Sequence, residues 1–312
     1  MQSEPLIQFT LWFELCLHAV EASTMRENLM IGIQPKLALC NFMEDVDALK
    51  DFALSGGFDG VDWTFTLEDL PRTPLQESIL QDRISRLKPL EVRYHCAFRE
   101  VDLGDVDAFR AAEARKILRD TCGLVSGLGG KYMTIHMGLG RDSMESLHWE
   151  RTLNCLEDLV AYGRSHGVRV CLENLASGWS SRPELFERLI RKTGAGVTLD
   201  IGHAQVCPSV ECQQYSFEDF VFPHERQVFN AHIYHEERND SHVPPRTLKD
   251  VAPRLELLME VPCDWWVLEL REESSLMATR RIVEEFFDSR MSRVPTHEEA
   301  FTGLPLSVGG FS

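Results

Sequence analysis

The sequence predicts an α/β fold, one (β/α)8 barrel forming a single domain. Three observations carry this: eight short β-type runs, longer stretches of helical period between them, and glycine stops where one gives way to the other. The first run, residues 37–40, is followed by a helical stretch over 44–54 that stops at Gly56-Gly57. The second run is 60–65, and the third, 92–98, follows an amphipathic segment ending near Pro89. A long helical stretch, 105–128, closes at Gly129-Gly130 before the fourth run, 132–136. Residues 146–166 read as a helix leading through Gly167 into the fifth run, 168–173. The last three runs are 196–201, 228–234 and 265–270. No internal repeat or Pro/Ser-rich linker breaks this march. The barrel is therefore expected over 30–290, between an N-terminal extension, 1–29, and an irregular tail, 291–312.

The bulk numbers fit one such barrel: 312 residues, 44% hydrophobic and 26% charged. A formal net charge of −17 repels polyphosphate, which disfavours nucleic acid as a partner. Nine cysteines without a CxxC pair read as reduced core thiols of a cytoplasmic protein. Residues 7–20 are apolar but include Glu14 and His18 and are too short to span a bilayer, so no membrane association is expected. They read as an extension that packs on the barrel. The tail from Ser292 reads either as an arm for a partner subunit, which would make a homo-oligomer, or as a frayed end.

In a parallel barrel all strand C-termini open on one face, where functional groups gather. The third run ends in Tyr94-His95-Cys96, the fourth in Ile135-His136-Met137 and the fifth in Leu172-Glu173-Asn174. Asp200 and His203 close the sixth, His232 and His235 the seventh, and Glu269 the eighth. A buried charge without a partner costs several kcal/mol, so six consecutive runs ending in an imidazole or carboxylate call for a common counter-charge. A divalent cation supplies it, and this mixture of donors suits Zn, Mn, Co or Fe better than Ca.

Other residues are assigned to the scaffold. His148, His166 and His224 fall in helical or loop positions and are expected on the surface. His235 faces away from the site if its strand continues and can return if the strand stops at Tyr234. Asp62 stands between a substrate contact and a structural hydrogen bond. Cys96 and Cys171 read as barrel filler, Trp265-Trp266 as packing, and Gly127-Leu128-Gly129-Gly130 as a helix stop, since it precedes a strand instead of following one. No GxSxG is present for serine nucleophile chemistry.

These residues resemble the xylose isomerase-like TIM-barrel superfamily, which contains sugar isomerases and epimerases and the endonuclease IV group of abasic-site nucleases. The resemblance covers 32–287 and rests most on Leu172-Glu173-Asn174, Leu199-Asp200-Ile201-Gly202-His203 and Asp240-Ser241-His242-Val243-Pro244-Pro245. For the epimerase branch it implies a metal core of Glu173, Asp200, His232 and Glu269, holding Mn, Co, Zn or Mg. It also implies that Glu173 and Glu269 are catalytic: one takes a proton from the carbon beside a carbonyl and the other returns it, with the metal steadying the enediolate between them. His203, Asn174, Trp179 and Arg238 are then expected to bind substrate, Trp179 by stacking on the sugar ring and Arg238 through substrate oxygens.

The nuclease branch implies a fuller shell, with His95 and His136 taking a second ion that Glu173 bridges. His203, Asp240 and His242 would take a third, all zinc. Few Lys or Arg fall in the loops of the catalytic face, and the loop 236–247 is short, which favours a small sugar or polyol over a phosphodiester. The resemblance thus points to a metal-dependent sugar or sugar-phosphate isomerase or epimerase. The alternatives are an endonuclease IV-like nuclease and a metal-binding barrel without turnover.

Overall fold

The structure, a computed structural model, describes residues 34–139 and 144–292. The expected extension and the tail beyond Ser292 lie outside the described residues. Eight strands form the barrel: β1 (Lys36–Cys40), β2 (Gly60–Phe65), β3 (Glu91–Cys96), β4 (Tyr132–Ile135), β5 (Arg169–Glu173), β6 (Gly196–Asp200), β7 (Val228–Ile233) and β10 (Trp265–Leu268). They pair in parallel and close a ring in the order β1-β10-β7-β6-β5-β4-β3-β2. The remaining two, β8 (Glu236–Arg238) and β9 (Ser241–Val243), make an antiparallel hairpin between β7 and β10. This corrects the expected polar loop. Asn239 and Asp240 both have positive φ, 50° and 56°, the backbone that a two-residue hairpin turn demands.

The helices begin and stop where local chemistry directs. Asp45 accepts from the amides of Asp47 and Ala48 and starts α1 (Val46–Ser55). Thr73 and the following proline start α2 (Pro74–Arg86), and Asp107 caps α3 (Ala108–Gly127). The stretch predicted from Asp105 therefore begins later, because Asp105 accepts from the Asp107 amide in the preceding turn. After α4 (Trp149–Ser165) comes α5 (Pro183–Thr193), which ends at Gly194 in the left-handed region, φ 68°. Then follow α6 (Ile201–Val206), α7 (Ala252–Leu258) and α8 (Glu273–Met291). Among the described residues no helix is long and apolar enough to cross a membrane.

Between strands and helices lies the apolar core, as in Trp266 of β10 against Phe286 and Phe287 of α8, with ring centroids 6.3 and 5.5 Å apart. Each such burial contributes about 1.5–3 kcal/mol. Inside the ring a small apolar group, Ala38, Trp265 and Val267, sits beside a polar chain. Arg93 is 3% exposed and donates to Asn230 Oδ1 (2.7 Å), which in turn donates from Nδ2 to Thr198 Oγ1 (3.0 Å), itself 2.7 Å from Thr134 Oγ1. The two-residue period of a strand then places His95, Asp200 and His232 one layer above Arg93, Thr198 and Asn230, at the C-terminal mouth. His224, expected on the surface, is buried: its ring stands edge-on to Phe186 at 5.3 Å, and burial pushes its pKa down to about 4.

Candidate metal centre

Glu173 ends β5, Asp200 ends β6, His95 and His232 lie within β3 and β7, and His136 and Glu269 stand just beyond β4 and β10. Among the described residues three groups place their donor atoms within 4.8 Å of one another: Glu173, Asp200, His232 and Glu269; His95, His136 and Glu173; and Asp62, His95 and His232. Glu173 divides its oxygens between the first two. Oε2 lies 3.0 Å from His136 Nε2 and 3.4 Å from His95 Nε2, while Oε1 lies 3.3 Å from His232 Nδ1. His232 Nδ1 is also 2.9 Å from Glu269 Oε2 and 3.6 Å from Asp200 Oδ2.

These atoms are close without being satisfied. His232 Nδ1 and Glu269 Oε2 are misaligned for a hydrogen bond despite their 2.9 Å separation, and both are buried without a hydrogen-bond partner. The same holds for His95 Nδ1, His136 Nδ1 and His232 Nε2. His95 Nε2 and His136 Nε2 face each other at 2.9 Å beside a carboxylate, a juxtaposition that a cation accepting both lone pairs resolves. The residues present therefore fit a divalent ion.

The charges agree. Burial raises the Asp62 pKa to about 7 and lowers that of His95 to about 3. Burial also works against an ionised Glu173, but His232 and His136 outweigh it and hold that carboxyl well below its usual range. Glu269 is depressed in the same way by His232 and His242. Burial opposes protonation of His232 and His203, yet the carboxylates around them hold both imidazoles well above their ordinary value. The cluster balances itself with protons that a bound divalent ion would displace.

Around this centre the other expected residues find different places. His203 enters on α6, whose first turn Asp200 caps by accepting the His203 amide at 2.6 Å. Its Nδ1 donates to the Asn174 carbonyl (2.9 Å) and its Nε2 lies 3.1 Å from Glu237 Oε2, facing the cavity. Asn174 was expected to touch substrate. Instead its side chain is spent on the backbone N–H and C=O of Asp200, both at 2.8 Å, so it ties β5 to β6. A Cβ on Gly202 would meet the Tyr234 ring at 2.0 Å, so glycine there lets the Tyr234 hydroxyl donate to Asp200 Oδ2 at 3.0 Å.

Three further expectations are corrected. Trp179 packs edge-on against Trp149, 5.1 Å between centroids, and does not line the cavity. Arg238 is 70% exposed, pairs with Glu236, and points away from the cavity because hairpin alternation sends its neighbour Glu237 inward. Asp240, at the hairpin turn, is 82% exposed and lies 4.0 Å from Arg99; with His203 and His242 it does not make a further group of converging donors. His242 stacks on Tyr234 at 4.0 Å and donates from Nδ1 to the Glu269 carbonyl at 2.7 Å. His235 lies outside the site against the Asp250 carbonyl, and Arg254 donates to the carbonyls of Ile201 and His235, both at 2.7 Å, holding the chain behind Asp200 and β7.

The cavity above the cluster has a volume of about 650 Å³. Glu173, Glu269, Glu237 and Asp240 line it, with Arg99, Arg271 and the protonated His203 among its basic groups. Glu237, Arg99 and Arg271 were not anticipated; the signal for Glu237 was the Asn239-Asp240 turn, which implies a hairpin and hence which side chains face in. Two other clefts, of about 570 and 560 Å³, lie beside Lys88 and Lys131 and behind α6 beside Arg254, away from the converging donors.

Fold and site together define a (β/α)8 barrel whose strand ends carry a cluster of metal-ligand side chains. A family model described as xylose isomerase-like TIM barrel matches residues 51–282, and the chain belongs to that family. An uncharacterized protein of Methanocaldococcus jannaschii is 24% identical over 160 residues, covering 51% of this chain and 68% of that protein. Among solved structures, a D-tagatose 3-epimerase-like protein superposes with a TM-score of 0.66 at 17% identity, covering 83% of this chain and 100% of the other. Endonuclease IV from Thermus thermophilus gives 0.56 at 18% identity, over 80% and 100%.

Proposed function

We infer that the protein is a metal-dependent isomerase or epimerase acting on a sugar or sugar phosphate. The observation that carries this reading is the pair Glu173 and Glu269, which lie 3.3 and 2.9 Å from one nitrogen of His232 and both line the 650 Å³ cavity. That volume suits a monosaccharide-sized ligand. Glu173, Asp200, His232 and Glu269 would hold the ion, Mn, Co, Zn or Mg, which supplies positive charge against the negative charge that develops on a carbonyl oxygen. Glu173 and Glu269 are both held ionised in the free protein. One would accept the proton from the carbon beside the carbonyl, and the other, having first taken a proton from solvent, would return it to that carbon, so that the proton count closes over the turnover. His203 and Glu237 face the same cavity and hold substrate hydroxyls. Loading the protein with each metal and offering a panel of ketoses in deuterated water tests this. Deuterium is expected at the carbon beside the carbonyl, and neither Glu173→Gln nor Glu269→Gln should incorporate it; a loaded protein that exchanges no ketose would refute the reading.

A second reading draws on His95, His136 and Glu173, which offer a second ion position next to the first, as an endonuclease IV-like nuclease would use. Against it stand the four acidic residues lining the cavity with two arginines, a poor surface for a phosphodiester backbone. Cleavage of an abasic-site duplex by zinc-loaded protein would replace the isomerase reading.

A further inference from the structure

Asp62 has no part in the reading above, yet it is 2% exposed in the barrel interior, in register with Arg93 and two residues before Thr64, the partner of His95. Its Oδ2 lies 3.6 Å from His95 Nδ1, and one oxygen of Asp62, one ring nitrogen of His95 and one of His232 all fall within 4.8 Å. The two histidines serve different ion positions. His95 turns Nε2 toward His136 and Glu173, and His232 turns Nδ1 toward Glu173 and Glu269. A neutral imidazole that gives one nitrogen to a metal carries its hydrogen on the other. The nitrogens left over are His95 Nδ1 and His232 Nε2, both buried and both without a hydrogen-bond partner. A buried N–H without an acceptor costs about 1–3 kcal/mol, so two of them would oppose binding of either ion. Glu269 Oε1 is 3.7 Å from His95 Nδ1, but Glu269 is itself turned toward His232 and belongs to the first ion position.

We propose that Asp62 is a shared positioning residue for both ion positions, one carboxylate accepting the outward N–H of His95 and of His232 and so fixing the metal-facing nitrogen of each. Metal-ligating histidines ordinarily hand their second N–H to such an acceptor, and losing it typically weakens binding 10–100-fold. The proposal rests on the metal reading of the site and is independent of the substrate. It also separates Asp62 from a direct ligand, whose removal would delete an ion.

The test is metal affinity and count, measured by competition with a chromophoric chelator on wild type, Asp62→Asn and Asp62→Ala, with cobalt absorption reporting ligand geometry. Wild type should take two ions. Asp62→Asn, nearly isosteric, should still take two, each about 10–100-fold more weakly, with a shifted cobalt spectrum. Asp62→Ala should bind at least as poorly, and His136→Ala should weaken one ion alone. Unchanged affinity in Asp62→Asn, a loss confined to one ion, or the disappearance of an ion that Asp62 itself ligates would each overturn the proposal. A wild type that binds no metal would overturn both it and the metal reading, whereas absent turnover with Asp62-dependent binding would sink the isomerase reading alone.

Discussion

The two ends of the barrel interior both bury charge, and they treat it in opposite ways. At the N-terminal end Arg93 brings its own partners: Glu91 (3.2 Å), the Phe229 carbonyl (2.8 Å), Asn230 (2.7 Å) and Asp264 (3.0 Å), with its guanidinium over the rings of Tyr132 and Trp265. At the C-terminal end four imidazole nitrogens and a carboxylate oxygen lie buried with no hydrogen-bond partner. A charge that belongs to the scaffold is satisfied within the chain, whereas a charge kept for function waits for something from outside. Buried atoms without a partner also occur elsewhere, Trp265 Nε1 among them, so it is their convergence with carboxylates at the C-terminal end that marks the functional end.

This contrast can be broken by mutation. The largest effect is expected for Glu173→Gln, which removes the carboxylate common to both ion positions. Ketose exchange should fall by about 10²–10⁴-fold or more, and metal analysis should show loss at both positions. If metal content is unchanged, the functional end has been misread. Next comes Arg93→Met, which leaves Asn230 and a carbonyl without their donor. It should cost about 2–4 kcal/mol, read as an equal drop in Tm with metal bound and with metal chelated. An effect on metal count would erase the separation between the two ends.

A smaller effect is expected from pH. His232 and His203 are held protonated above the ordinary imidazole range. In the metal-free protein their contribution to stability is complete below about pH 6.5 and is lost as pH rises through their folded values. Metal held by His232 must displace the proton of that imidazole, so the Tm gain on loading should grow as pH rises across that range, and a gain that shrinks would contradict the charge assignment. The smallest effects concern the hairpin. Glu237→Gln should raise KM by about tenfold, the worth of one charge-assisted hydrogen bond, while Arg238→Ala should leave KM alone and stability within about 0.5 kcal/mol. The reverse ranking in steady-state assays would mean that the hairpin presents its other face.

What could be read in advance follows from the same physics. Strand ends were legible because β-runs, glycine stops and the two-residue period depend on local sequence, and His95, Glu173, Asp200 and His232 fall where that period places them. Asn174, Trp179 and Arg238 were misplaced because their partners are remote: the Asp200 backbone, the Trp149 ring and the direction of a hairpin strand. His224 was misread for a similar reason, since only tertiary packing brings Phe186 over it. Asp62 could be noticed but not assigned, because its meaning depends on two histidines from other strands.

The most direct measurement is anomalous diffraction from crystals of the zinc- or cobalt-loaded protein. The account predicts an ion bound among Glu173, Asp200, His232 and Glu269, with a second beside His95 and His136. A loaded crystal with no ion among the first four residues, or with its ions only at the surface, would contradict it.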